Sequence, residues 1–361
     1  MAATAPAPRA AVRVRPKDPW PRRTVDWLVK NLFSSWFNTL LTLVSLWVIY
    51  FTVTRVWRWA TETAVWAVIP ANFQLFLVGV YPRDQLWRFH VILGVFAVLT
   101  ALSVAAALNR DFGRKAMRWL VTPWLLFLPG SMFLLWGLPG SETLPHVQTS
   151  SWGGLTLTLV LAAVGIAGSL PIGILLALGR RSSLPVISVF STFFIETVRG
   201  TPLVAIIFMA HLMVPIFLPG VTIDRVIRAM IGLTLFTSAY MAENVRGGLQ
   251  SIPKGQYEAA QALGMSPALT MILVILPQAL RSVLPSIVGQ FISLFKDTSL
   301  VAIIGLMDLL GIARSITANP AWAGLQAETF LFIAIIYWIF CFALSYGSRR
   351  LERMLGLERP S

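Results

Sequence analysis

Residues 251–277, SIPKGQYEAAQALGMSPALTMILVILP, separate two apolar runs and decide how the whole chain is read. Ser251-Ile252-Pro253 is a start signal for a helix that continues from Lys254 to Leu263. Gly264 then ends that helix as a C-terminal cap, a position that needs the left-handed backbone glycine adopts freely. Ser266-Pro267 is a second start, with serine as cap and proline in the first turn. The helix it opens runs through Leu269, Met271, Leu273 and Val274 to Leu276-Pro277. Two short helices with a sharp glycine bend make a knob whose Ala and Gly faces can approach a partner closely. The polar loop that holds them, from Arg246 to Arg281, is about 35 residues, against ~4–6 for an ordinary connection. An amphipathic helix pair lying on a membrane surface is the other reading of the same pattern.

Outward from this loop the chain is apolar in both directions. It is 361 residues long, 57% hydrophobic and only 12% charged, with a mean hydropathy of +0.74. These values exclude an ordinary soluble domain, a disordered chain and a disulfide scaffold. A membrane helix needs ~20 apolar residues, and eight mainly apolar runs are read as spans, the sixth of them short: Phe33–Val53, Phe89–Asn109, Trp119–Gly140, Gly153–Gly179, Val186–Leu218, Ala229–Ala242, Val283–Leu310 and Thr329–Tyr346. The first is too long for a signal-peptide core and has no cleavage site behind it, so it reads as a retained span. Ala64–Val80 is broken by Pro70-Ala71-Asn72 and reads as an interfacial or re-entrant piece of an outer loop rather than a ninth span.

The net charge of +14 suggests nucleic acid until the charges are placed. With the N-terminus inside, 20 of the 29 Lys and Arg residues fall on inner segments and seven on outer ones, while Arg199 and Lys296 lie within spans. The surplus is therefore topological, and no nucleic acid is expected as partner. One cysteine, Cys341, and three scattered histidines offer neither a disulfide framework nor a metal site, and no cofactor is expected. Residues 1–32 read as a disordered basic cytoplasmic tail against membrane lipid. Residues 33–150 read as an accessory three-span unit with a periplasmic loop, rich in tryptophan and free of buried charge. Residues 151–350 form a core with the loop 246–281, and residues 351–361 a second cytoplasmic tail.

Here a resemblance appears. Glu258-Ala259-Ala260, three residues, Gly264, nine residues and Val274-Ile275-Leu276-Pro277 resemble the E-A-A-x3-G-x9-I-x-L-P signature of ABC importer permeases, with Val274 in place of isoleucine. Glu196-Thr197-Val198-Arg199-Gly200-Thr201-Pro202-Leu203, Ser238 to Gly248, and Lys296-Asp297-Thr298-Ser299-Leu300 are similar to strings of polar amino-acid permeases. The three extra N-terminal spans resemble the long subunit of general L-amino-acid transporters. The resemblance implies an all-α integral membrane protein of about eight transmembrane helices, with a five-span permease core and a cytoplasmic coupling-helix pair. It also implies a multi-pass protein of the bacterial inner membrane. Its partners would be an ABC ATPase dimer docked on Glu258, Ala259, Ala260, Gly264, Leu276 and Pro277, a second permease (a sister chain), a periplasmic substrate-binding protein and an amino-acid substrate.

Ionisable residues at membrane depth are costly, ~2.5–3.5 kcal/mol on insertion scales, and so mark function. Glu196 and Arg199 stand three apart and are expected to pair. Gly200-Thr201-Pro202 should interrupt the fifth span, with Thr201 capping and Pro202 opening a new half-helix beside Arg199, a receptor for a carboxylate or a gate. A Glu–Arg pair that only fixes helix packing is the competing reading. In the seventh span Gln290, Asp297, Thr298 and Ser299 are candidates for the substrate path, Asp297 for an α-ammonium or for capping a helix break. A charged kink held by other spans competes there. Glu243 and Arg246 read as a joint between loop and bundle. His211 and Cys341 read as packing residues, and Asp308 as a span-end residue.

No G-x4-G-K-[ST] string occurs, so ATP must be handled by a separate subunit and the chain is expected to be non-catalytic, with no catalytic residue. An ion-coupled secondary transporter would show an inverted repeat, yet residues 1–150 do not echo the rest. A membrane anchor without transport would not carry Glu196, Arg199, Lys296 and Asp297 in its spans.

Overall fold

The computed structural model describes residues 20–108, 110–217, 220, 223–354 and 356. The described residues are mainly helical, without strands beyond two isolated bridges. The chain divides into two compact units between Val65 and Trp66, inside the region 33–150 that the composition groups as one accessory unit.

In the first unit, α1 (Trp20–Leu32) and α2 (Trp36–Arg58) are joined by a turn in which Ser35 caps α2 by accepting from Asn38 N. The Thr42 hydroxyl donates to the Leu32 carbonyl at 2.9 Å, tying the end of one helix to the start of the next. Residues 1–19 of the expected disordered tail lie outside the described residues, but Trp20–Leu32 is a helix. Its apolar positions recur at helical spacing (Val25, Leu28, Val29, Leu32), a period hidden by the composition of the residues before it.

The second unit runs through α3 (Val68–Ala71), α4 (Phe73–Val78), α5 (Trp87–Leu108), α6 (Arg110–Trp136), α7 (Gly154–Arg180), α8 (Pro185–Gly200), α9 (Leu203–Phe208), α10 (Val214–Phe217) and α11 (Arg225–Ser251). It continues through α12 (Lys254–Ala262), α13 (Pro267–Leu269), α14 (Leu276–Ser282), α15 (Leu284–Asp297), α16 (Leu309–Ala318) and α17 (Gln326–Met354). Helices α7 and α11 form its centre. Glycines on α7 allow this: a Cβ on Gly173 would stand 2.6 Å from Met241 Cβ, and one on Gly168 would stand 2.7 Å from the Thr234 methyl. Small residues are what let membrane helices close up, because lipid supplies no hydrophobic drive between them.

Among the described residues, six helices are long and apolar enough to cross a membrane, within Trp36–Thr63, Arg83–Ala106, Trp119–Trp136, Gly154–Arg180, Leu284–Ile304 and Gln326–Arg353. The fifth expected span, Val186–Leu218, is instead a bent pair, Pro185–Gly200 and Leu203–Phe217, turned by 109°. The sixth, Ala229–Ala242, lies inside the 27-residue α11, whose threonine, serine and terminal charged positions make it less apolar than the six.

Ala64–Val80 is not a span. Val68 and Phe76 are fully buried in a cluster with Leu309, Ile312 and Ile333, and Phe76 meets the Phe332 ring edge-on at 4.9 Å. Gly79, at φ +67°, passes so close to Gly153 that an added Cβ would lie 2.5 Å from its Cα.

The expectation that residues 33–150 hold no buried charge is corrected by Arg88, which has no exposed surface. Its guanidinium donates to the carbonyls of Leu134 (3.1 Å) and Leu135 (3.3 Å) at the end of α6, and to the Pro145 carbonyl (2.7 Å). It also donates to the Tyr81 hydroxyl and to Gln85 Oε1. The last carbonyls of a helix have no partners of their own and carry partial negative charge, so a buried cation is stabilised there without a carboxylate. Arg88→Met keeps the stem's packing and takes the guanidinium from the Leu134 and Pro145 carbonyls, while Leu135 still accepts from the Tyr81 hydroxyl at 2.8 Å. It is expected to destabilise the second unit by about 3 kcal/mol, read as a lower thermal unfolding midpoint in detergent.

Candidate functional site

The helical hairpin foreseen between α11 and α14 is present, with changes at both ends. Ser251 closes α11, its hydroxyl donating to the Gly248 carbonyl, and Pro253 rather than Ser251 precedes α12. Gly264 sits at φ +75° and makes the bend, its N–H donating to Gln261 O at 2.9 Å. Ser266 then caps α13 by accepting from Leu269 N. The second helix does not stop at Pro277. It passes through a π-helical turn, Thr270–Ile275, into α14, with Pro277 directly after that turn.

Of the candidate docking residues, Glu258, Ala259, Gly264 and Pro277 are exposed, whereas Ala260 is buried and Leu276 packs inward. Four apolar side chains outside the expected docking set share the exposed surface of the knob: Leu263, at 82% exposure, Leu269, Ile272 and Leu273. The hairpin is seated on the bundle by a close crossing, where a Cβ on Gly248 would stand 2.5 Å from the Ala279 carbonyl oxygen.

Directly above that crossing lies a cluster of charges. Glu243 on α11 accepts from Arg246 (2.7 Å) and from Arg180 at the end of α7 (2.8 Å), with Arg199 of α8 at 3.6 Å. Arg180 also bridges to Glu196 at 2.9 Å, and Arg246 extends to Gln250. The hydrogen bonds from Arg246 hold the Glu243 carboxyl below its ordinary range, against the opposing effect of burial. The expected Glu196–Arg199 pair is therefore not formed. Glu196 turns to Arg180, and Arg199 turns to Glu243 and lies over the Tyr240 ring at 5.6 Å. Glu243 and Arg246, read as a joint of their own, belong with the fifth-span charges to one network on three helices. Arg180 was missed because it sits at a span end beside Arg181 and counts there as ordinary topological charge.

The break at Gly200-Thr201-Pro202 is where the local chemistry placed it, but Thr201 does not cap the following helix. Its hydroxyl donates back to the Thr197 carbonyl at 2.8 Å, closing α8, and Pro202 stands at the head of α9. The helix then loosens into a π-helical turn, Met209–Met213.

In the seventh span the α-helix gives way after Asp297 to a tighter 3₁₀ stretch, Thr298–Ile304, ended by Gly305 at φ +78°. The hydroxyls of Thr298 and Ser299 are spent on the Phe295 and Lys296 carbonyls of their own helix. Gln290 and Asp297 are half-buried and Lys296 is exposed. Among the described residues, no ion pair joins Asp297 or Lys296 to each other or to the Arg199 cluster. Asp308, expected merely to end a span, is fully buried and caps α16, accepting from Leu310 N and Gly311 N.

A bundle with a protruding helix hairpin, a broken span and charges gathered where the two join has known counterparts. Residues 169–356 match the family described as binding-protein-dependent transport system inner membrane component. The chain belongs to this family. It is 45% identical to the inner membrane amino-acid ABC transporter permease protein YhdY of Escherichia coli (strain K12), over 93% of this chain and 94% of that protein. It is 35% identical to the glutamate/glutamine/aspartate/asparagine transport system permease protein BztC of Rhodobacter capsulatus, over 92% and 93%. A solved amino acid ABC transporter with histidines superposes with a TM-score of 0.51 at 32% identity, covering 56% of this chain and 92% of that one. The permease is thus a multi-pass inner-membrane protein. YhdY and BztC align over nearly its whole length, beyond the part that the family model matches.

Proposed function

We propose that this permease is the long membrane subunit of an ATP-driven amino-acid importer, with its N-terminus in the cytoplasm and no catalytic role of its own. The observation that carries this reading is the hairpin 252–282. It exposes Leu263, Leu269, Ile272 and Leu273 to a partner while Gly248 and the Glu243 network lock its base to the bundle. An ATPase dimer takes that apolar face, a sister permease supplies the other half of the path, and a periplasmic binding protein delivers the amino acid. Closure of the ATPase pair draws the hairpins together. The base of each hairpin moves Glu243, which pulls on Arg180 and Arg199 and so on the ends of α7 and α8, beside the break that leads into α9. Arg199 and Glu196 act as the gate on the inner side of the path, and Asp297, unpaired and half-buried on α15, receives the ammonium of the substrate.

Purification with co-expressed operon neighbours tests this, by measuring ATP hydrolysis in proteoliposomes with binding protein and a panel of amino acids. Stimulation by particular amino acids is expected, and Asp297→Asn should lower substrate stimulation about tenfold with assembly intact, the loss of one charge-assisted hydrogen bond. Failure of any ATPase to co-purify with intact protein would overturn the reading.

A further inference from the structure

One face of α17 ends in charges that the transport reading leaves without a task. Trp338, Phe342 and Tyr346 recur every fourth residue, with Trp338 stacked on Phe342 at 5.3 Å and Phe342 on Tyr346 at 6.5 Å. All three are more than half exposed. The opposite face is the packed one, where Tyr337 and Phe340 meet Phe295 of α15 at 5.3 and 5.5 Å. At 100° per residue, Arg349, Arg350 and Arg353 fall on the same side as the aromatic stripe. With Tyr346 they line an open groove of about 310 Å³. Arg349 also donates to Ser345, and the neighbouring Glu352 is engaged by the Ser348 hydroxyl.

Length places this groove at a particular depth. The apolar helix Gln326–Arg353 has 28 residues and is about 42 Å long at 1.5 Å per residue. A hydrocarbon core of ~30 Å takes only ~20 of them. If the core begins near Thr329, Tyr346 reaches the boundary and the three arginines stand in the headgroup layer, on the side that the basic-residue count assigns to the cytoplasm. An aromatic stripe continuous with a cluster of cations matches a molecule that has an apolar chain and an anionic phosphate. We propose that Tyr346, Arg349, Arg350 and Arg353 bind the headgroup of an anionic phospholipid, whose acyl chain lies along Phe342 and Trp338.

Native mass spectrometry of the full complex, with phosphatidylglycerol, phosphatidylcholine and glycerol 3-phosphate in turn, tests the site. The wild type is expected to retain phosphatidylglycerol in preference to phosphatidylcholine. That preference should fall about fivefold for each arginine removed on the way to R349Q/R350Q/R353Q. The triple lysine variant should restore it, which separates charge from damage to the helix. W338A/F342A should shorten retention of phosphatidylglycerol, because the chain loses its stripe. An unchanged preference in the triple glutamine variant would overturn the proposal. So would equal retention of glycerol 3-phosphate, which would mark a free-phosphate site. Loss of the ATPase from the triple glutamine variant, with lipid retention intact, would assign the arginines to a protein partner and overturn it as well.

Discussion

Gly264→Pro is expected to abolish substrate-stimulated ATP hydrolysis, a fall of at least about 100-fold, while the permease itself remains folded. The native residue holds φ at +75°, whereas proline is confined near −65° and has no N–H to give to the Gln261 carbonyl. The strain is worth ~3 kcal/mol, which corresponds to about two powers of ten. Alanine separates backbone from bulk at this position. A Cβ on Gly264 would meet nothing within 4 Å, so Gly264→Ala should cost only the left-handed backbone, ~1–2 kcal/mol, and leave partial stimulation. If proline were as active as alanine, the bend would have no part in coupling. Co-purification of the ATPase with each variant tells loss of docking from loss of transmission.

Glu243→Ala is expected to reduce stimulation about 30-fold, by a different route. The carboxylate is only 16% exposed and is shared by arginines from three helices. Its removal leaves Arg180, Arg199 and Arg246 facing one another without their common partner, a loss of about 2 kcal/mol after allowance for the solvent that reaches the arginines. Arg180→Met should have a smaller effect alone. It should add little to Glu243→Ala, because both break the same connection and coupled sites are not additive. Strict additivity, measured as ATP hydrolysis with saturating binding protein, would show that Glu243 and Arg180 act separately and would remove the proposed link from hairpin to gate.

These two sites differ in how far they could be read before any packing was known. The Gly264 bend, the Ser266 cap and the interruption at Gly200-Thr201-Pro202 are decided by residues adjacent in the chain: a glycine where φ must be positive, a hydroxyl two or three residues before a free N–H, a proline that cannot continue a helix. The apolar runs are equally local, since each span must satisfy its own backbone in lipid. Pairing is another matter. Glu196 and Arg199 have the right spacing to meet on one helix, but the end of α7 brings Arg180 to Glu196, and Glu243 draws Arg199 away.

The same distinction explains Arg88, whose acceptors lie 46 to 57 residues further along. In the sequence it is one more outer-side cation, and only the folded loop turns it into a buried clamp on the end of α6. It explains Ala64–Val80 too, whose apolar character reflects burial in a cluster with α16 and α17 rather than contact with lipid. Hydropathy and local geometry therefore decide most of the long helices and where they break. The partners of the charged groups were decided by tertiary packing, because a guanidinium or carboxylate removed from water takes the nearest complementary group in space, wherever that group stands in the chain.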